Sequence, residues 1–553
     1  MRTLAELPND SNRLKRQAFL NKMRQLYAYQ YSYNQTIATI VKLPQEEKAD
    51  CAYQFGALKH LSGLIPSLPR IIATQFKQWF KIPIRSYQDY LFFGRSSFVD
   101  TRFLDNFYSD TYFGLQRVIG INHVLLQGIS KTEDLPDNFD LNRLKENFSK
   151  IVSHADYETA FREQRLFYLN YQMLQGLVEH QGEYAGRIQY VTAPLVLFYR
   201  QDNGTLQPIA IQLNQLPCAN NPLFLPFDGQ AWTVAKLYVQ IADVNYQELV
   251  SHATRIHYLV EEFVIATHRE LYKTHPVFLL LEPHLRYTLS VNVHHLFLKD
   301  KKGVPGDFGA QLAGNYDAMV ALMAEAFKTY HFKENALPNN IAKRQVNMPE
   351  LFYPYAKEGL QIWDLTQQFV REYLELYYVD NKAVQEDSEI QSWAKLMTSE
   401  NGMRVQGFPE RFETLEELAQ TIGQIIFITT AHHSTVHYPQ YLFSGFTPSM
   451  PFAAYQPAPT SLSDAQHLTE QDLINILPLR QPAMKQALTF YLTDFKLERL
   501  GEYRGFEMKA EKVMKKYQSA LLKLAEEMRQ AELTRVYPYS HLNPQQIPNS
   551  VMV

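Results

Sequence analysis

Apolar residues recur at helical spacing along most of the chain. The longest such run extends from about Trp232 to Leu271 without a Pro or Gly, long for a globular helix, and predicts a central element. Helical periodicity returns at 312–330, 356–381, 386–400, 412–438, 469–477 and 505–533. Alternation replaces it in YVTAPLVLFYRQDNGTLQPIAIQL, where two strands flank Asp202-Asn203-Gly204. The Asn-Gly pair supplies the positive φ angles of a tight hairpin turn, so one small sheet is expected. FTPSMPFAAYQPAPTS, 446–461, holds four prolines and reads as an extended loop. The pattern is that of a mainly α protein, and no repeat or low-complexity tract divides it.

Composition narrows the class. The 553 residues are 46% hydrophobic, carry 54 Lys+Arg against 57 Asp+Glu, and include two Cys. Such a chain is neither disordered, nor disulfide-framed, nor basic enough to seek nucleic acid. Cys51 and Cys218 are too far apart for a CxxC motif, and a reducing, cytoplasmic setting is expected. MRTLAELPNDSNRLKRQ lacks the apolar core of a signal peptide, and every apolar run is shorter than the ~18 residues of a membrane span.

Charge is unevenly spread. Residues 1–95 hold 14 Lys/Arg against 6 Asp/Glu, a net +8, leaving the other 458 residues at −11. Leu20, Met23 and Tyr27 recur beside Arg16, Lys22 and Arg24, and Ile72, Phe76, Trp79 and Phe80 beside Arg70, Lys77 and Lys81. Such helices either lie flat on an anionic bilayer or pack their apolar faces on the rest of the protein. The expected division is a basic amphipathic helical extension over 1–95 and one large domain over 96–553, which the resemblance given below makes the catalytic domain.

Histidines carry the candidate chemistry. His252 and His257 lie inside the very apolar long helix, five residues apart. In a regular α-helix that spacing leaves the rings roughly 140° apart, whereas a π-bulge returns them to one face. His433 and His437, four apart, share a face of an ordinary helix, and His432 points about a quarter-turn away. Four imidazoles from two helices suit iron, with manganese, zinc or copper possible on ligand type; the HExxH of zinc proteases is absent.

The block 232–292, with HATRIH, THPVF and PHLRYT, resembles the signature region of the lipoxygenases. Further matches follow in family order: YFGLQRVIGIN at 112–122, APLVLFY and PIAIQL within 194–213, HHSTVHYPQY at 432–441, FTPSMP at 446–451 and the chain end NPQQIPNSVMV. The resemblance covers roughly 100–553 and implies the large helical catalytic domain of that family. It makes His252, His257, His433, His437 and the terminal carboxylate of Val553 the ligands of a non-heme iron. Members usually end in isoleucine, but the ligand is the main-chain carboxylate. Glu248 and Gln440 fall where the family has groups that hydrogen-bond and orient the ligands. Plant and animal members begin with a β-barrel where this chain is helical and basic, which suggests a minimal, bacterial-type form.

The implied reaction is dioxygenation of a polyunsaturated fatty acid such as linoleate by O2. Ferric hydroxide removes hydrogen from a weak bis-allylic C–H bond, and the pentadienyl radical captures O2, so no acid or nucleophile is needed. Family members place a small Ala or Gly shortly after the equivalent of Asn292; here Val293 to Leu298 offer none. His295, Leu296 and Leu298 are the candidate substrate and oxygen pocket, with Leu296 or Leu298 as the leucine over the metal. Alternatives are a hydroperoxide-processing or manganese-dependent relative, or a non-catalytic lipid-binding protein at a membrane surface. Contact with an anionic membrane is expected through residues 1–95.

Overall fold

One continuous helix runs from Gln230 to Glu270: α-helix over Gln230–Tyr246, π-helix over Gln247–Tyr258, then α-helix again over Leu259–Glu270. The structure, a computed structural model, describes residues 5–8, 12–93, 106–131, 134–136, 138–139, 141–153, 155–295, 309–503 and 507–553. Nearly every residue of this central helix is buried. Each fully buried Leu, Ile or Val there contributes ~1.5–3 kcal/mol, and the helix organises the main core.

Its polar groups are paired. Asp243 meets Arg117 at 2.8 Å and accepts from Asn122 Nδ2 at 2.9 Å and the Tyr171 hydroxyl at 2.7 Å. Arg117 and Asn122 belong to the segment 112–122, so that motif fastens helix Asp110–Ile119 and the turn after it to the central helix. Within it, a Cβ on Gly114 would fall 1.8 Å from the Leu206 carbonyl oxygen, so only glycine lets the sheet approach this closely.

The expected hairpin pairs Leu195–Arg200 with Leu206–Gln212, but residues 201–205 connect them as a longer loop in which Gly204, at φ +82°, has the expected positive φ and Asn203 does not. It forms the middle of a five-stranded antiparallel sheet, flanked by Leu166–Asn170 with Gln127–Gly128 on one side and Leu223–Phe224 on the other. A second, smaller apolar cluster covers this sheet with helices Asn142–Ile151 and Tyr157–Arg162. The remaining predicted helices appear at Tyr316–Lys328, Pro354–Leu374, Ser388–Thr398, Leu415–Phe427, Glu470–Ile476 and Met508–Glu532. Helix Arg480–Leu492 was not expected. The proline-rich stretch is without helix until Leu462. Among the described residues no helix is long and apolar enough to cross a membrane.

The N-terminal region differs from the helical extension expected for 1–95. Helix Arg13–Leu26 is followed by a β-hairpin, Tyr29–Ser32 with Ile37–Ile40, before helices Cys51–Ser62 and Leu68–Trp79. The first helix is part of the body: Arg16 is buried and pairs with Glu389 through Nε at 2.7 Å and Nη2 at 3.1 Å, and Leu20 is buried. The hairpin lies on the central helix, where Ala38 N donates to Glu262 Oε1 at 2.9 Å and Ile40 N to Glu261 Oε1 at 2.8 Å. Buried carboxylates and a guanidinium make these contacts costly to break, so the apolar face of the first helix serves packing. The expected boundary at 95/96 lies outside the described residues.

Candidate metal centre

Two interrupted helices bring the four histidines together. The central helix widens to π geometry over Gln247–Tyr258, and the Thr254 hydroxyl donates to the Leu249 carbonyl five residues back at 2.6 Å. This is the bulge that the five-residue spacing requires, and it places His257 Nε2 3.0 Å from His252 Nε2. The second helix also passes through π geometry, over Ile428–His432, directly before His433–His437; sequence periodicity predicted a regular helix there. The rings of His433 and His437 are 5.0 Å apart, and His252 lies 5.5 and 5.0 Å from them. His252, His433 and His437 offer ring nitrogens within 4.8 Å of one another, and His257 joins them through His252. His432 turns away, with Nδ1 2.8 Å from the Tyr355 hydroxyl.

The outer hydrogen bonds fix the tautomers. Asn292 Nδ2 donates to the His257 carbonyl at 3.0 Å and to Glu261 Oε2 at 2.7 Å, so its Oδ1, 3.1 Å from His257 Nδ1, must accept. His257 Nδ1 therefore bears the proton and Nε2 a lone pair. His437 Nε2 faces the Thr493 carbonyl at 2.9 Å, which leaves the lone pair on Nδ1, 3.1 Å from His252 Nε2. On the far side of His252, Nδ1 lies 3.5 Å from the Glu248 carboxyl group and has no hydrogen-bond partner. The lone pairs of His257 Nε2 and His437 Nδ1 thus both face His252 Nε2, at 3.0 and 3.1 Å, an arrangement that a cation among the rings would stabilise. Burial pushes the His252 pKa down to about 3 and holds His433 and His437 well below the usual imidazole range, the latter two helped by neighbouring rings. Neutral imidazole is the ligating form, and neither nitrogen of buried His433 has a hydrogen-bond partner. The donor set fits a transition metal such as iron.

Glu248 and Gln440 meet each other. Gln440 Nε2 donates to Glu248 Oε1 at 2.6 Å, and Gln247 Nε2 donates to the Val436 carbonyl at 3.0 Å, clamping the two histidine-bearing helices together. Burial raises the Glu248 pKa to about 8, against the hydrogen bond from Gln440, which lowers it.

The chain end is drawn inward. Residues 547–553 are buried, and Val553 packs in one apolar cluster with Met552, Tyr287, Phe495 and Tyr438, the neighbour of His437. The motif histidines 275 and 284 have structural partners. His275 caps helix Pro276–Leu285 and bonds Asp387 at 2.9 Å, while His284 holds the Asn549 carbonyl at 2.8 Å. Asn292, Gln247 and Thr493 escaped the sequence reading as site residues; the polar Asn292 inside an apolar helical stretch was the one signal present. Of the predicted pocket, Leu296, Leu298 and the His295 side chain lie outside the described residues.

A family model described as lipoxygenase matches residues 93–493. The chain is 30% identical to the polyunsaturated fatty acid lipoxygenase ALOX8 of Mus musculus over 457 residues, 80% of this chain and 65% of that protein. It is likewise 30% identical to the hydroperoxide isomerase ALOXE3 of Mus musculus over 478 residues, 84% and 65%. The chain thus spans less than two thirds of the length of these relatives. A lipoxygenase crystallised anaerobically in complex with arachidonate superimposes with a TM-score of 0.89 at 26% identity, covering 100% of this chain and 83% of that one. With the histidine cluster, the two π-interrupted helices and the match over most of its length, the chain belongs to the lipoxygenase family.

Proposed function

We propose that the protein is an iron-dependent dioxygenase that converts polyunsaturated fatty acids to hydroperoxides. The observation that carries this is the meeting of four buried imidazoles from two π-interrupted helices, with the lone pairs of His257 and His437 turned to His252 and with His433 beside them unpartnered. His252, His257, His433, His437 and the carboxylate of Val553 would hold the metal. Iron bound there would supply the one-electron oxidation that removes a hydrogen atom from a bis-allylic carbon. The chain's own part is positional: Asn292 and Thr493 hold two rings in the required tautomer, Glu248 and Gln440 tie the two helices, and burial excludes water. A fatty-acid substrate is supported by the relative named a polyunsaturated fatty acid lipoxygenase and by the structure holding arachidonate.

The relative named a hydroperoxide isomerase favours a second reading, rearrangement of a fatty-acid hydroperoxide. One experiment separates the readings. Purified protein with its metal determined by elemental analysis is given linoleate and, separately, its hydroperoxide, while oxygen uptake and conjugated-diene absorbance are followed. Iron with oxygen uptake and diene formation from linoleate supports dioxygenation. Consumption of hydroperoxide alone supports isomerisation, and manganese in place of iron reassigns the metal. Two exposed free thiols fit a reducing, cytoplasmic setting for this chemistry.

A further inference from the structure

Helices Cys51–Ser62 and Leu68–Trp79 carry the most exposed apolar surface of the N-terminal region. The first has no buried residue along its length, and the second buries only Thr74. Outward from them stand Phe55, 70% exposed, Leu58, Ile72, Phe76, Trp79, 78% exposed, and Phe80. Three of these rings pack on one another at the surface: Phe76 with Phe80 at 4.7 Å, Trp79 with Phe80 at 5.6 Å and Phe76 with Trp79 at 6.1 Å. The other three tryptophans, Trp232, Trp363 and Trp393, are buried. An exposed cluster of aromatic rings of this kind, with further exposed apolar side chains on the neighbouring helix, marks a surface that something covers.

Charge identifies the occupant. Residues 51–85 contain Lys59, Arg70, Lys77, Lys81 and Arg85 and no Asp or Glu. Lys77 is engaged by Asp89 at 3.1 Å, while Lys59, Arg70, Lys81 and Arg85 are exposed. A second copy would meet this face with the same face under two-fold symmetry, setting cations against cations. An anionic bilayer accepts both features at once, with Trp and Phe at the acyl boundary and Lys and Arg at the headgroup phosphates. We propose that helices Cys51–Ser62 and Leu68–Trp79 form the membrane-docking face of this protein, for bilayers rich in anionic lipid. This rests on the reading of the substrate as a lipid and divides the N-terminal region in two: residues 13–48 are built into the body, and 51–85 face the bilayer.

The placement suits such a substrate. The inward side of the first helix packs Tyr53 and Ala57 on the cluster that holds Met552 and Val553, with the Tyr53 ring 5.1 Å from Tyr287 and 5.3 Å from Phe495. One helix thus has the docking face on one side and the buried chain end on the other.

Co-flotation of the full chain with phosphatidylcholine vesicles, with and without phosphatidylserine, tests this. The wild type floats with the anionic vesicles and far less with the neutral ones. Phe76→Ser/Trp79→Ser/Phe80→Ser lowers partitioning by about a hundredfold or more, since each ring forfeits apolar burial. Lys59→Glu/Arg70→Glu/Lys81→Glu abolishes the preference for phosphatidylserine, and raised salt mimics it. Lys512→Glu/Lys515→Glu/Lys523→Glu, on the exposed face of Met508–Glu532, makes the same change in net charge and leaves flotation intact. Both docking variants retain the wild-type melting temperature and turnover of detergent-dispersed linoleate. Independently of any loss of folding, brominated acyl chains quench the tryptophan fluorescence of the wild type, and the conservative Trp79→Phe removes that quenching. Equal flotation of the aromatic variant and the wild type overturns the proposal. So does a wild type that ignores anionic vesicles, or an aromatic variant that changes only from dimer to monomer. A protein that floats as described but leaves linoleate untouched keeps its docking face and loses the proposed function.

Discussion

Asn292 donates to the buried carboxylate of Glu261 at 2.7 Å, and that contact holds the Asn292 carbonyl oxygen against His257 Nδ1. Glu261 is itself fixed by the hairpin amide of Ile40 at 2.8 Å. The N-terminal hairpin is thereby connected, through one carboxylate and one amide, to a ring that faces the candidate metal position. Asn292→Ala removes the acceptor that sets the His257 tautomer, so iron affinity measured by chelator competition should fall about 10- to 100-fold. Melting should drop as well, by about 1–3 kcal/mol, because Glu261 loses a buried donor. Unchanged iron affinity in a folded Asn292→Ala protein would show that His257 is oriented by other contacts.

The ligand set makes a sharper demand. His252→Ala, His257→Ala and His433→Ala should each purify with iron strongly depleted and conjugated-diene formation lost, since each removes one of the converging nitrogens. His432→Ala is the control. It should cost about 1–2 kcal/mol, because the Tyr355 hydroxyl loses its partner at 2.8 Å, and still retain its metal. Elemental analysis of the four proteins decides; full iron in all three ligand variants would remove these residues from the site.

How far the sequence could lead is plain from particular residues. The five-residue spacing of His252 and His257 has one common geometric solution if both rings are to meet, and the π-helix over Gln247–Tyr258 is that solution. Nothing comparable announces the π-turn at Ile428–His432, because four-residue spacing already serves a regular helix. The two basic amphipathic segments look alike in sequence, yet the apolar face of one packs on the body and that of the other is exposed. What separates them is a partner 373 positions away, Glu389, which neutralises Arg16; periodicity carries no information about such a distant contact. Helix Arg480–Leu492 follows Pro478 and bears Pro482 in its first turn, so breaker residues masked it.

A group remote from the metal predicts acid sensitivity. Asp387 caps helix Ser388–Thr398 and accepts from His275 at 2.9 Å and from Tyr378 at 2.6 Å. Burial raises its pKa, but His275, Tyr378 and the backbone amides outweigh burial and hold it below the ordinary carboxylate value. A carboxylate whose folded pKa is depressed adds stability that is fully present above its unfolded pKa, near ~4, and is lost as pH falls through the folded value. Asp387→Asn should therefore melt lower than the wild type at neutral pH, by an amount on the order of 2–4 kcal/mol. The gap should close as pH falls below ~4 and through the folded value. Melting curves across that range check it; a gap independent of pH would mean that packing around Asp387, and not its charge, supports this corner.

The chain end offers the most discriminating test, because an ordinary C-terminus is frayed and tolerant of change and this one is neither exposed nor loose. Leu500 N donates to the Ile547 carbonyl at 2.9 Å, Asn549 N to the Glu498 carbonyl at 3.0 Å, His284 holds the Asn549 carbonyl, and the Thr288 hydroxyl reaches the Val551 carbonyl at 3.3 Å. With the backbone pinned as far as Val551, an extra residue cannot be absorbed by sliding. Appending one Gly displaces the free carboxylate by up to ~3.6 Å, while ligand bonds to a metal are near ~2 Å; deleting Val553 displaces it the other way. Both variants should lose iron and reduce oxygenation by orders of magnitude. Val553→Ile keeps the carboxylate and adds one methylene beside Tyr438 and Phe495, which should cost no more than about 1–3 kcal/mol of stability and leave the iron in place. A Gly-extended protein that holds iron and oxygenates linoleate at the unmodified rate would show that the terminus is buried for packing alone, and that four imidazoles complete the protein's share of the site.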